Sequence, residues 1–278
     1  MKLGRFEAFL LDDGSFRLDG GAMFGTVPKT LWERLEHADE KNRIPLTLGC
    51  LLLKTPKGHN VLVDAGLSSK YDTNEKFKRI YAVERTVTLR DQLKTLGLSP
   101  SDIHLVINTH LHFDHAGGDT EFDDHGRPVP AFPKARYLVQ KEEWEEANHA
   151  HERNQASYME ENFAPLEDRK VLDLVSGEYE VEPGLKVARS GGHTRGHQCV
   201  RIESEGETGL YLGDLVPTLS HVPLPYIMGY DLYPVDTLEC KREFLTRAAA
   251  EDWTLLFQHD IRKRHAKVKN VEGRFLAV

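Results

Sequence analysis

The sequence contains little cysteine, no long apolar run and no excess of positive charge. Its three cysteines, Cys50, Cys199 and Cys240, are far apart and odd in number. They therefore fit neither a disulfide framework nor a zinc ribbon, and they indicate reduced thiols in a cytoplasm. Cys50 and Cys199 lie in strand-like stretches, where we expect small core side chains.

Charge and hydropathy exclude two classes of partner. The formal charge is −8, and no basic run is present that could follow a phosphate backbone, so we expect no nucleic-acid partner. No stretch is long enough for a membrane span, and the apolar stretch after Met1 is too short for a signal peptide. With 40% hydrophobic and 29% charged residues, the composition is that of a globular protein. We expect one domain over residues 1–278.

The densest chemical feature is the run Thr109-His110-Leu111-His112-Phe113-Asp114-His115. Residues 103–108 before it read as a buried strand, so the run lies in a loop at a strand end, where sites are often found. Neutral imidazole suits zinc, iron, cobalt or manganese, and carboxylate suits the harder of these ions. A lone His-x-His pair is typical of an exposed loop, but this arrangement predicts a metal site. It can hold one ion well, or begin two sites that need ligands from later strand ends.

Three later apolar strands also end in histidine or aspartate. Residues 185–188 lead to His193 and His197, one of which could be a fifth ligand. Residues 209–212 lead to Asp214, and residues 253–257 lead to His259. Earlier in the chain, the strand at 60–63 ends in Asp64. By spacing alone Asp64 is most simply a turn residue, and a ligand or a partner of a metal-bound histidine are the alternatives.

Four further segments carry structural predictions. Residues 6–18 read as an opening hairpin around Asp12-Asp13-Gly14-Ser15, and residues 75–97 read as helical, with Thr88 as a cap and Gly97 after the last turn. Residues 19–28 form either a mobile flap or a connection whose Met23 and Phe24 enter the core. Residues 217–234 are too long and too aromatic for a passive linker and read as a loop that covers something.

The ordered motifs closely resemble the metallo-β-lactamase superfamily. The resemblance extends from Asp64 to His259 and includes Gly-Gly-His-Thr-Arg-Gly-His and Leu-Gly-Asp. It implies an α/β fold, an αββα sandwich of two mixed β-sheets flanked by helices. It also implies two divalent metal ions per chain, zinc first, with iron, cobalt or manganese as alternatives.

The resemblance also implies a role for each site residue. One ion would be held by His110, His112 and His193, and the second by Asp114, His115 and His259. Asp214 and a hydroxide would lie between the two ions. Asp64 would support the ligands from behind, and His197 would orient its loop.

Within the superfamily, the chain looks most like the N-acyl-homoserine lactonase and phosphotriesterase branch, the quorum-quenching lactonases. Asp114 between the histidines, the Met23-Phe24 segment and residues 229–234 carry this likeness. It implies opening of a lactone ring by the bridging hydroxide, with Asp114 moving a proton to the leaving alcohol, and promiscuous phosphotriesterase or arylesterase activity. Some lactonases of this branch have a tyrosine three residues after the bridging aspartate, where this chain has Pro217. The substrate-pocket candidates are Met23, Phe24, His221, Tyr226 and Tyr230, and the last three could take over the role of that tyrosine.

Other functions of the same fold remain as alternatives. The first is a glyoxalase II-like thioesterase or another esterase of this fold, and the remotest is a metal-binding protein without catalysis. The acidic charge argues against a nuclease, and the reduced thiols argue against a secreted β-lactamase. We expect a small lactone or ester as the partner, with an apolar tail that contacts the flap and the 217–234 loop. Either segment could instead be buried in a homodimer interface.

Overall fold

A computed structural model describes the whole chain, residues 1–278, as seventeen strands and eight α-helices. The strands are β1 Lys2–Leu3, β2 Phe6–Asp19, β3 Arg43–Lys54, β4 Asn60–Val63, β5 Leu105–Ile107, β6 Thr120–Phe122, β7 Pro128–Pro130, β8 Arg136–Gln140, β9 Leu172–Val175, β10 Glu178–Glu182, β11 Leu185–Arg189, β12 Gln198–Ser204, β13 Glu207–Tyr211, β14 Thr254–Leu256, β15 His265–Ala266, β16 Val268–Val271 and β17 Arg274–Ala277. The helices are α1 Gly20–Phe24, α2 Lys29–Trp32, α3 Glu75–Tyr81, α4 Leu89–Thr95, α5 Phe113–Ala116, α6 Lys141–Asn148, α7 Glu160–Asp168 and α8 Pro234–Ala250.

Two large mixed sheets dominate the topology. The first has the order β1-β2-β3-β4-β5-β8-β9, and the second has the order β10-β11-β12-β13-β14-β15. In the first sheet β4, β5, β8 and β9 are parallel, and in the second β13 and β14 are parallel. Two hairpins, β6–β7 and β16–β17, lie outside these sheets.

The two sheets pack face to face, with helices on the outside. Side chains alternate along a strand, so Leu51 and Leu53 of β3 face the core that also contains Val200 and Leu256 of the second sheet. The intervening Leu52 lies in the outer cluster that α4 and α7 complete. On the other side, α8 packs against the outer face of the second sheet. This αββα sandwich confirms the predicted fold class. No helix is long and apolar enough to cross a membrane.

The predicted opening hairpin is wrong, because residues 6–19 form one long strand. β2 pairs along its length with β3, and its register shifts between Asp12 and Ser15. Asp13 lies in this irregular stretch with its carboxylate buried, where it accepts hydrogen bonds from the backbone of Leu67, Ser68 and Leu89. The Asp-Gly pair therefore forms a bulge rather than a turn.

The predicted helix over 75–97 is divided into α3 and α4. Ala82 ends α3 in the left-handed conformation, and Glu84 pairs through its backbone with Ser15 at the bulge of β2. The pairing holds this stretch extended, which local propensity could not show. The expected start and end of the second helix are confirmed, with Thr88 in a capping box and Gly97 directly after the last turn.

Met23 and Phe24 enter the core, which decides between the two readings of residues 19–28. Both side chains are buried, and Phe24 stacks between Trp32 and His221. The segment is therefore not a mobile flap, and these side chains are not available to a dimer interface.

The long loop at 217–234 is fixed from below by a buried lysine. Lys241 of α8 is fully buried, and its ammonium group donates to the backbone carbonyls of Pro223 and Tyr226 at 2.9 and 3.0 Å. These two hydrogen bonds stabilise the loop, because a buried carbonyl or ammonium group without a partner is costly. The loop thus has a defined shape over the sheet edge.

Candidate metal centre

The strand ends that carry the predicted ligands meet at one edge of the sandwich. β4 and β5 are parallel neighbours, as are β13 and β14, so the carboxyl ends of each pair lie side by side. Asp64 and the 109–115 run follow β4 and β5, and Asp214 and His259 follow β13 and β14. His193 joins them from the loop after β11. The topology thus brings together ligands that are far apart in the sequence.

All seven predicted ligands are buried, and their donor atoms lie close enough to one another to bind the same cations. They form three overlapping groups: His110, His112 and His193; His110, His115 and Asp214; Asp114, His115 and His259. Nδ1 of His112 lies 3.0 Å from Nε2 of His110 and 3.1 Å from Nε2 of His193. Tetrahedral zinc with bonds of about 2.0–2.1 Å places its ligands about 3.3–3.4 Å apart, so this triad has nearly the spacing of a zinc site.

Asp214 lies between His193 on one side and His115 and His259 on the other. Its Oδ2 is 3.2 Å from Nε2 of His193 and 3.7 Å from Nε2 of His115. Its Oδ1 is 3.1 Å from Nε2 of His259. One carboxylate therefore faces both halves of the cluster, as a bridging ligand must.

Hydrogen bonds behind the histidines fix which ring nitrogen faces the cluster. Nδ1 of His193 donates to the Asp231 carboxylate at 2.8 Å, and Nδ1 of His259 donates to the Thr47 carbonyl at 2.7 Å. Nδ1 of His115 lies 3.2 Å from the Asp64 carboxylate. Each contact leaves the Nε2 lone pair directed at the other ligands, which is how metal-binding histidines are oriented in proteins.

Electrostatics hold two of the donors, His110 and Asp214, in the forms that bind metal. Burial lowers the pKa of His110 well below its ordinary value, and the neighbouring imidazoles of His115 and His112 add to this effect. Burial alone would raise the pKa of Asp214, but the imidazoles of His115 and His193 outweigh it and hold that pKa well below its usual range. Neutral imidazole and ionised carboxylate are the protonation states that a cation requires. At His115 and His193 burial would lower the pKa, but the neighbouring carboxylates outweigh it and raise the pKa, so a cation must displace a proton there.

The donor set fits a pair of bound cations. Nε2 of His115 and Oδ1 of Asp214 are buried without a hydrogen-bond partner. Buried polar atoms without a partner are rare, and here both are turned toward other lone pairs. Nitrogen and oxygen donors in overlapping groups are the chemistry of a site for two divalent ions.

Comparison with known proteins agrees with this geometry. The family model of the metallo-β-lactamase superfamily matches residues 50–259, which contain all seven donors. The chain belongs to the metallo-β-lactamase superfamily. A probable metal-dependent hydrolase from Staphylococcus aureus has a similar structure, with a TM-score of 0.90 and 33% sequence identity over 100% of this chain and 99% of that one.

Two curated members of the superfamily resemble the chain in sequence. An N-acyl homoserine lactonase from a Bacillus species is 35% identical over 170 residues, 58% of this chain. The matched stretch spans 60% of that enzyme's length. The N-acyl homoserine lactonase AttM of Rhizobium radiobacter is 27% identical over 75% of this chain and 80% of its own length.

Asp64 and His197, which were predicted to support the ligands rather than to bind metal, also lie at the candidate metal centre. The Asp64 carboxylate accepts from the backbone and hydroxyl of Thr109 as well as facing His115, so it is no simple turn residue. His197 accepts from the backbone N–H of Asp214 at 3.0 Å. Gly213, which directly precedes Asp214, has a φ of +50°, and a Cβ on this residue would lie 2.7 Å from the His197 ring. The Leu-Gly-Asp motif therefore requires glycine.

The sequence analysis missed two residues, Asp231 and Glu143, whose side chains hold parts of the candidate metal centre in place. Asp231 orients His193 from inside the 217–234 loop. Glu143 of α6 is fully buried, and its carboxylate accepts from Leu111 N–H and from the hydroxyls of Thr194 and Tyr158. Leu111 and Thr194 stand beside metal-ligand candidates in two different loops. The sequence could have indicated Glu143 as a charged residue at an inward-facing position of α6. No sequence motif indicates Asp231.

Replacing Glu143 with leucine should destabilise the protein by about 2–5 kcal/mol, because three buried donors lose their shared acceptor. The midpoint of thermal unfolding should fall by roughly 5–15 °C in a chain of this size. The matched control is Glu145→Leu on the exposed side of the same helix, which should move the midpoint little. Equal shifts for the two variants would show that Glu143 does not hold the loops together.

A cavity of about 310 Å³ opens onto the metal centre. Its floor contains His112, Asp114, His193, Asp214 and His259. Its walls are largely apolar and come from Leu18, Met23, Tyr81, Phe113, Met228, Tyr230 and Leu232. This volume and lining suit a small molecule with an apolar tail.

The structure corrects the predicted substrate pocket at three positions. Met23 and Tyr230 line the cavity, but Phe24, His221 and Tyr226 do not. Phe24 packs against both His221 and Tyr226, and His221 is fully buried with Nε2 bonded to the Met23 carbonyl. These aromatic side chains form the layer behind the pocket wall. Of the three candidates to replace the tyrosine absent at Pro217, only Tyr230 faces the cavity.

Proposed function

We propose that this protein is a metal-dependent hydrolase that opens the lactone ring of N-acyl homoserine lactones. The observation that carries the proposal is the convergence of seven buried donors, five of which form the floor of a cavity whose walls are largely apolar. Both curated relatives described above are N-acyl homoserine lactonases, and the Staphylococcus aureus neighbour is a probable metal-dependent hydrolase.

The ligands divide into two sets that share Asp214. We assign His110, His112 and His193 to one ion and Asp114, His115 and His259 to the other. Zinc is the first choice, because imidazole predominates, and iron, cobalt and manganese also accept this donor set. When bound, such ions lower the pKa of water so that a nucleophile exists at neutral pH, and they polarise the substrate carbonyl.

The chain's own residues bind the substrate and move the proton. The apolar walls hold the acyl tail, so that the lactone ring lies over the floor of the cavity. Asp114 lines the cavity beside His115 and His259. Its carboxylate takes up the proton of the nucleophile that has added to the carbonyl carbon, and passes it to the ring oxygen as the ester C–O bond breaks. A positioned acid of this kind contributes about 10²–10⁴-fold to the rate.

The test is turnover of N-hexanoyl and N-decanoyl homoserine lactone by metal-loaded protein. We expect proton release, and mass spectra should show an N-acyl homoserine that is one water heavier than the lactone. A thioester, a p-nitrophenyl ester and paraoxon assayed in parallel measure the thioesterase, arylesterase and phosphotriesterase alternatives. If protein with two bound ions leaves both lactones intact and cleaves the thioester, the lactonase proposal fails and the hydrolase assignment stands.

A further inference from the structure

One polar side chain in the cavity wall takes no part in the metal centre. Asn154 is 4% exposed and lines the cavity together with His112 and Asp114. Both the oxygen and the nitrogen of its side-chain amide lack a hydrogen-bond partner. Most buried polar side chains in proteins are paired, so this unpaired amide in the cavity lining is a candidate partner for a bound molecule.

The backbone around Asn154 is fixed to the loop that carries the ligands. Ser157 N–H donates to the Asn154 carbonyl at 2.8 Å, which closes a turn. The Ser157 carbonyl then accepts from the N–H of Phe113 at 2.9 Å, and Phe113 stands between His112 and Asp114. The turn that carries Asn154 is therefore held beside the loop of the candidate metal ligands.

A second contact joins another segment of the cavity lining to the same turn. Arg153 donates from its guanidinium group to the carbonyl of Gly229 at 2.6 Å. Gly229 precedes Tyr230, and both line the cavity. Asn154 thus lies in a turn that is bonded to two other segments of the cavity lining, and its amide is the unpaired polar group of that turn.

We propose that Asn154 is a specificity-determining residue that hydrogen-bonds the amide of an N-acyl substrate. A secondary amide carries one donor and one acceptor, and the asparagine side chain offers the complementary pair. Simple esters, thioesters and phosphotriesters present acceptors only, so they leave the asparagine oxygen unpaired. The inference rests on the proposed lactonase function, and it identifies the amide as the part of the substrate that the cavity recognises.

The test compares two lactones that differ only in the amide. One is N-hexanoyl homoserine lactone, and the other is a γ-butyrolactone with an unbranched alkyl chain of the same length at the α-carbon. For the wild-type protein we expect kcat/KM to favour the amide-bearing lactone. Replacing Asn154 with leucine should lower kcat/KM for that substrate by roughly 10- to 100-fold, because two hydrogen bonds are lost. The alkyl lactone should change by less than about threefold, since it makes neither bond.

Two further variants keep the result interpretable. Asn154→Asp has the same shape but lacks the donor, so it should also lose the preference for the amide while it keeps the fold. Gln155→Leu removes a neighbouring amide that is exposed and does not line this cavity, and it should behave as wild type. Thermal midpoints and bound metal are measured for every variant.

The outcomes separate this inference from the proposed function. If the wild type opens both lactones equally, or if Asn154→Leu slows both by the same factor, Asn154 does not read the amide, and the lactonase function stands. If the wild type opens neither lactone while two ions are bound, both the inference and the proposed function are overturned. A selective loss for the amide-bearing lactone in Asn154→Leu and Asn154→Asp supports both.

Discussion

Asp114→Asn should lower kcat for lactone opening by about 10²–10⁴-fold, the range lost with a positioned proton-transfer group. Asparagine keeps the shape of the side chain and one oxygen, so it preserves packing against Phe113 and its neighbours. It cannot take up and release a proton at neutral pH. Because Asp114 lines the cavity and its Oδ2 lies 3.5 Å from His115, the loss should appear in kcat more than in KM.

Two measurements decide what a loss in Asp114→Asn means. Metal content per chain, determined on the same preparation, shows whether both ions are still bound. A lactone with a better leaving alcohol should recover much of the rate, since it needs less proton transfer. The matched control is Asp124→Asn, an exposed aspartate in the following loop. Full activity in Asp114→Asn with unchanged metal content would show that Asp114 does not carry the proton.

Asp231→Ala should weaken metal binding by about 10–100-fold, the usual cost of removing the partner of a metal-binding histidine. Asp231 is 2% exposed, and its carboxylate is the only group that we find bonded to Nδ1 of His193. Without it, the ring can rotate, and its Nε2 is less basic. The effect should appear in a competition titration with a chromogenic chelator, as a lower affinity for one of the two ions.

The variant Asp231→Asn distinguishes the orientation of the His193 ring from the effect of the negative charge of Asp231. Asp231→Asn retains an oxygen that can accept from His193, so it should keep most of the affinity that alanine loses. Asp236→Ala, at the exposed start of α8, serves as the control for the loss of an acidic group nearby. If Asp231→Ala binds both ions as tightly as wild type, Asp231 has no part in positioning His193.

The sequence indicated the candidate ligands because each group of them follows an apolar strand, and the resemblance to the superfamily then assigned the full set. The pattern of strand and donor repeats at His110, His193, Asp214 and His259, and strand ends that meet at a sheet edge bring distant residues together. The αββα sandwich was predicted from the resemblance to the superfamily, and long apolar strands such as β3, buried along nearly their whole length, agree with it.

The parts that sequence reasoning missed depend on tertiary contacts. Asp231 and Glu143 have no neighbouring motif, and their roles come from histidine and loop partners distant in the chain. Residues 6–19 resemble a hairpin locally, but pairing with β3 and the buried Asp13 keep the strand continuous. Phe24 and Tyr226 were predicted at the pocket because aromatic loops often line sites, yet these side chains fill the layer behind it.

The most direct test of the account is a titration of metal-free protein with zinc, with lactone turnover measured at each addition. The proposed assignment predicts two ions per chain, because the donors form overlapping groups and the Asp214 carboxylate faces His193 as well as His115 and His259. Turnover should therefore rise to its plateau only as the second equivalent binds, and a chelator should abolish it. A plateau at one equivalent, or turnover that persists without metal, would contradict a centre that works through two ions.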